Sequence, residues 1–233
     1  MYIFPFLLLL YIFCYKVYDN DMKFYYGSKT FLKTPAYGQG NPSNDYGLGL
    51  YLTPDFEMAK LWASQFDQGG YAITYDVDLD NLASLSLQEG GEEAILRWIT
   101  LLVAHRLNPL DRARFKEQID LLKQRYWVDL TEVDVVYGYR ADDAYFRYAR
   151  DFLDNRISVE LLSEAMRLGK LGKQVVLKSK KAFDRVRFVC CERVDPSPDY
   201  ARFRSLAADQ YHALQSTDSI SNTFLRDILR RER

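Results

Sequence analysis

Two glycine-bearing segments constrain the fold of this chain more than any other feature: Tyr26-Gly27-Ser28, and Asp45-Tyr46-Gly47-Leu48-Gly49-Leu50-Tyr51-Leu52-Thr53. The first closes a short predicted strand, Lys23 to Ser28, on a glycine that lets another group come close to the backbone. The second is a predicted strand, Gly49 to Thr53, entered through two glycines and presenting an aromatic ring at Tyr51. Between them the segment Thr34 to Gly49 carries Pro35, Gly38, Gly40, Pro42 and Asn44, the composition of a loop able to drape over a ligand. Gly47 and Gly49 are not a dinucleotide fingerprint of the Rossmann kind, because no third glycine opens a helix after a strand.

The chain has 233 residues, enough for one domain with appendages and a real core. Hydrophobic residues make up 48% and aromatic ones 15%, which selects a folded protein over a disordered one. A net charge of -1 supplies no field to gather nucleic acid or anionic lipid, so an anionic ligand must be held by local groups. The 3 cysteines, Cys14, Cys190 and Cys191, suggest no disulfide framework and favour a reducing, cytoplasmic setting. The 2 histidines, His105 and His212, have no metal-ligand spacing, which argues against a zinc site and against a Ser-His-Asp triad. No metal is expected.

Three regions follow from the pattern: 1–21, 22–194 and 195–233. The first is apolar up to Lys16 but shorter than the ~18 residues of a spanning helix. It lacks the basic start and small-residue cleavage site of a signal peptide, leaving an upstream extension of the reading frame ahead of Met22 or a membrane anchor. In the second region, Thr53-Pro54 is expected to start a helix with Thr53 as N-cap, carrying Met58, Trp62 and Phe66 as core. Gly69-Gly70 closes it and Tyr71 to Leu79 alternates as a strand. Glu92 to Leu107 is a predicted helix stopped by Pro109, with Trp98 and Arg106 assigned to packing and surface, and Arg112 to Tyr126 is a charged amphipathic helix with a solvated face. Val133 to Tyr137 is a short strand; Asp142 caps a helix to about Asn155, and Ser158 caps another ending at Gly169. Gln174 to Lys178 and Val186 to Glu192 are the last strands. Pro196 and Pro198 mark a boundary, after which residues 200–233 are helices against the domain or a mobile tail. Strands and helices that do not alternate regularly indicate an α+β fold.

Read together, YYGS, DYGLGLYLT, Ala141-Asp142-Asp143 and Lys173-Gln174 resemble, in order, the motifs of an uncharacterised bacterial family with Y-H-G-S, D-F-G-x-G-F-Y-L-T, A-D-D and N-Q. More distantly they resemble the H-G-S and F-G-x-G-I-Y-F-A segments of the poly(ADP-ribose) polymerase-type ADP-ribosyltransferases. The resemblance spans roughly Met22 to Glu192. It implies a split β-sheet ADP-ribosyltransferase-like core with helical insertions, NAD as substrate, and transfer of a single ADP-ribose to a macromolecule or water. It further implies that the Gly27 backbone grips the nicotinamide carboxamide, that Tyr51 stacks on its ring, and that Ser28 assists by hydrogen bonding. Asp45 is either a turn former or a ribose contact. Asp142 and Asp143 are either a helix cap with a favourable dipole charge, or the source of an acidic group in the pocket.

Two positions depart from the transferase pattern. Tyr26 replaces the histidine before the glycine, and its phenol can still donate to a ribose hydroxyl. Gln174 replaces the catalytic glutamate; its amide oxygen accepts a hydrogen bond but carries no full charge. The alternative expectation is therefore a non-catalytic module that binds a nucleotide or a protein on the same fold.

Overall fold

The computed structural model describes residues 22–141, 143–166, 173–219 and 222–231. Met1 to Asp21, Asp142 and the predicted helix end at Gly169 lie outside the described residues. Among the described residues, no helix is long and apolar enough to cross a membrane.

The elements are β1 (Met22–Ser28), β2 (Leu50–Leu52), α1 (Phe56–Ser64), β3 (Gly70–Val77), β4 (Ser84–Ser86), α2 (Gly91–Arg106), α3 (Pro109–Arg114), α4 (Lys116–Tyr126), β5 (Val135–Tyr139), α5 (Asp143–Leu153), α6 (Val159–Ala165), β6 (Lys173–Leu177), α7 (Lys180–Phe183), β7 (Val186–Val194), α8 (Asp199–Gln215) and α9 (Leu225–Arg230). The fold is α+β. One sheet has the order β1-β3-β7 and the other β2-β6-β5-β4.

Strand alternation explains how the two sheets pack. Phe24, Ile73, Tyr75 and Val77 of the first sheet bury themselves against Leu50, Leu52, Val135, Val175 and Leu177 of the second. The alternate residues Val136 and Val176 point the other way, into a larger core built by α2, α4, α5, α6, α8 and α9. The region after Pro198 is part of that core: Tyr211 of α8 stacks on Tyr148 at 3.7 Å between ring centroids, and Leu225 and Ile228 of α9 are buried. Tyr200 reaches in a different direction and packs with Met58 and Trp62 of α1.

Several boundaries differ from expectation for local reasons. Thr53 does not cap α1, because its backbone is held in a β-bridge with Tyr25. Asp55 caps instead, accepting from the N–H groups of Glu57 and Met58 at 2.9 and 3.3 Å. Pro109 does not only stop α2; it is the first residue of α3, behind the N-cap Asn108, where a missing N–H costs nothing. Ser158 caps α6 as expected, its hydroxyl accepting from Leu161 N–H at 3.0 Å.

Candidate functional site

The site begins where the two sheets part. β1 and β2 meet at one isolated bridge, in which Tyr25 and Thr53 exchange backbone bonds of 2.8 and 2.9 Å. Continued along both strands, that alignment would set Gly27 opposite Tyr51. Past this bridge no further pairing joins β1 and β2 among the described residues: β1 continues beside β3 and β2 beside β6. Alternate residues of a strand present their backbone groups to the same edge, so the N–H and C=O of Gly27 open into the resulting gap, as those of Tyr25 open onto Thr53. Gln174, two residues from Val176 on β6, shares the Tyr51 face of its sheet.

A cleft of about 620 Å³ occupies this gap, within the usual range for small-molecule sites. Tyr26, Gly27, Asp45, Tyr51 and Gln174 all line it, with the 35–49 loop at the rim. Ser28 is not among the lining residues; its hydroxyl accepts from Thr30 N–H at 3.3 Å. Asp143 opens α5, and Asp142 is outside the described residues. Gln174 is buried, and its Oε1 has no hydrogen-bond partner. A buried acceptor left unpaired costs about 1–3 kcal/mol, a penalty that a ligand hydroxyl would remove.

Gly27 has a packing reason beside its backbone exposure. A Cβ there would lie 2.7 Å from Trp62 Cβ and inside contact distance of the Ala59 carbonyl oxygen, so α1 rests directly on β1 at this residue. Gly27→Ala is therefore expected to displace α1 and lower stability by about 1–3 kcal/mol, the usual cost of overpacking. Urea denaturation checks this, and an unchanged midpoint would show that α1 yields without cost.

Tyr51 organises the rim. Its hydroxyl donates to the Gly47 carbonyl at 2.6 Å and accepts from Tyr46 N–H at 3.0 Å, while its ring stacks on Tyr46 at 6.4 Å. Burial pushes both phenols up, so they remain protonated donors at neutral pH. Tyr46 in turn donates to the Tyr139 carbonyl at 2.8 Å, through space that a side chain at Gly138 would fill. Lys178, whose ammonium burial lowers to about 8, donates to the Tyr46 carbonyl at 2.5 Å and also to that of Leu48. His105, lowered by burial first and then by nearby Lys178, lies against Gly47.

Asp45 is committed to this scaffold. Its Oδ1 accepts from Arg106 Nη1 at 2.8 Å and its Oδ2 from Ala141 N–H at 2.8 Å. Arg106 also donates to the Ala141 carbonyl. Burial pushes the Asp45 carboxyl up, and Arg106 is the largest opposing influence. Arg106 is thus not a surface residue of the helical insertion: it lines the cleft and ties α2 to the rim loop and to the start of α5. Trp98 is fully buried and donates from Nε1 to the Tyr139 carbonyl at 3.2 Å.

Sequence reasoning also missed a second part of the lining. Trp62, Arg140, Tyr200 and Arg204 share the cleft with the motif residues. Trp62 carried only a core signal, Arg140 stood unread beside Ala141, and the two α8 residues lay past a presumed boundary.

The fold and cleft therefore define an α+β protein with a ligand-sized opening where two sheets diverge. The chain belongs to the DUF3990 family, described as proteins of unknown function, whose model matches residues 22–188. No curated protein and no solved structure matches it.

Proposed function

We propose that the cleft binds NAD and that the protein transfers a single ADP-ribose to a macromolecule or to water. The observation that carries this reading is the partnerless amide oxygen of Gln174, buried on the Tyr51 face beside the gap into which the Gly27 backbone opens. The Gly27 N–H and C=O suit the two ends of a carboxamide, and the Tyr51 ring offers a surface for nicotinamide. The Gln174 oxygen accepts from a ribose hydroxyl, and the Tyr26 phenol, also on the lining, donates to another. Cleavage of the nicotinamide-ribose bond builds positive charge on the sugar, as glycoside cleavage does. A neutral amide stabilises that charge less than a carboxylate, so turnover is expected to be slow.

A second reading, a non-catalytic nucleotide- or protein-binding module, has its own support. Asp45 is the one carboxylate lining the cleft among the described residues, and both of its oxygens already accept hydrogen bonds from the chain. Calorimetric titration with NAD separates the readings before any acceptor is known. Saturable binding is expected, weakened roughly fivefold in Tyr51→Ala by loss of a stacking surface worth about 1 kcal/mol. Absence of binding at millimolar NAD would remove the enzyme reading; binding without product release in a single-turnover assay would leave an NAD-binding module.

A further inference from the structure

We propose that the wall of the cleft made by Trp62, Arg140, Tyr200 and Arg204 is a subsite for a phosphate group. Among the described residues, four buried side-chain nitrogen or oxygen atoms have no hydrogen-bond partner: Trp62 Nε1, Asp76 Oδ1, Arg140 Nη1 and Gln174 Oε1. Three of these belong to residues lining the cleft, and the two in this wall are both donors. Neighbouring donors without an acceptor mark a place where an acceptor belongs.

The charge and shape of the wall select an anion. Of the three arginines lining the cleft, Arg106 is matched by the lining carboxylate Asp45. Arg140 adds a second guanidinium, whose Nη1 has no hydrogen-bond partner, and Arg204 stands on the same lining. The Arg140 guanidinium carbon lies over two aromatic rings, 4.2 Å from the Trp62 centroid and 5.8 Å from that of Tyr200. Its Nη2 donates to the Tyr200 hydroxyl at 3.2 Å, and its Nη1 is left over. A planar guanidinium oriented by aromatic rings matches the oxygen spacing of phosphate better than an ammonium would. In this conformation Arg140 rests on Trp62, so binding draws the guanidinium toward the ligand and changes the surroundings of the indole.

The wall is completed from outside the family match. Trp62 and Arg140 fall within residues 22–188, whereas Tyr200 and Arg204 belong to α8, which begins at Asp199. The helix after the second predicted boundary thus contributes to ligand choice as well as to the core. The subsite deepens the dinucleotide reading and rests on it for one point, that the phosphate is part of NAD rather than of a free phosphate compound.

The test uses the full chain and four probes: inorganic pyrophosphate, ADP-ribose, NAD and nicotinamide, each by calorimetry and by tryptophan emission. Pyrophosphate and ADP-ribose are expected to bind about tenfold or more weakly to Arg140→Gln, the loss of one charge-assisted bond. Nicotinamide affinity should stay the same. Arg204→Gln, at a half-buried position of the same lining, should weaken both phosphate probes several-fold while leaving nicotinamide affinity the same. The emission change on pyrophosphate binding should vanish in Trp62→Phe. Pyrophosphate and ADP-ribose binding undiminished in both arginine variants overturns the subsite, as does failure of every phosphate probe to bind at millimolar concentration. Arginine-dependent binding of pyrophosphate without binding of NAD or nicotinamide sustains the subsite and sinks the dinucleotide reading. NAD binding indifferent to Arg140 and Arg204 does the reverse.

Discussion

Arg106→Ala is expected to lower the stability of the protein by about 3–5 kcal/mol, the usual cost of removing one partner from a buried ion pair. The Asp45 side chain is 6% exposed and that of Arg106 19%, so the carboxylate left behind has little water to turn to. It would keep only the Ala141 N–H. Asp45→Asn should cost less, because an amide oxygen can still accept from Ala141 and the charge left without its partner is then the guanidinium, the more exposed of the two and still bonded to the Ala141 carbonyl. The double variant should be closer to Asp45→Asn than the sum of the two losses, since the residues form one unit. Acidity supplies an independent check. Burial already holds the Asp45 carboxyl above its ordinary value, and loss of Arg106 removes the largest influence that opposes it. An acid whose folded value lies above its unfolded one loses folding stability as pH rises from the unfolded value, about 3.9, through the folded one. The deficit of Arg106→Ala relative to the natural chain should therefore be full at neutral pH and shrink on acidification toward pH 4. A deficit independent of pH in urea titrations would assign the loss to packing alone, for instance to the Phe146 ring that the guanidinium lies over at 5.4 Å.

This pair also marks the limit of what the sequence discloses. Features fixed by near neighbours were legible: strand β1, the glycine-rich rim loop, the Ser158 cap, and the strand that carries Gln174. The α+β class followed from the same signals. The Asp45 partnership was not legible, because it joins residues 61 apart in the chain and no local pattern distinguishes Arg106 from a solvated helix end. Strand β4 was missed because three residues, Ser84-Leu85-Ser86, are too few to show alternation, and it forms by pairing in parallel with β5. Thr53 was misread as a cap because tertiary pairing with Tyr25 outweighed a Thr-Pro signal that is sound in isolation. After Pro196 and Pro198 the chain takes the first of its two expected courses, helices against the domain, but no local signal said which residues of α8 would reach the cleft. Proline ends an element, but it does not stop the next one, here α8, from packing back onto α1.

Gln174→Glu is the change with the largest expected effect on chemistry. If the amide oxygen faces a ribose hydroxyl, a carboxylate in its place adds a full negative charge near the sugar. At about 5 Å and an effective dielectric of about 20, that charge is worth roughly 3 kcal/mol to a developing positive centre. The matching gain in NAD hydrolysis is on the order of a hundredfold. Gln174→Ala should reduce whatever turnover the natural chain has. Burial works against the gain, because Gln174 is only 4% exposed and a new carboxyl there will be pushed toward its neutral form. The variant should therefore gain activity with rising pH as the carboxyl ionises, a profile that Gln174 itself, having no titrating group, cannot produce. Release of nicotinamide, followed from acid to mildly alkaline pH, reads both the size and the profile. A variant that binds NAD as the natural chain does, yet shows neither a gain nor a pH-dependent limb, would clear the missing carboxylate of responsibility. Suspicion would then pass to Tyr26, whose phenolic oxygen stands farther from the backbone than an imidazole nitrogen, so that the proposed ribose position would have to shift to meet it.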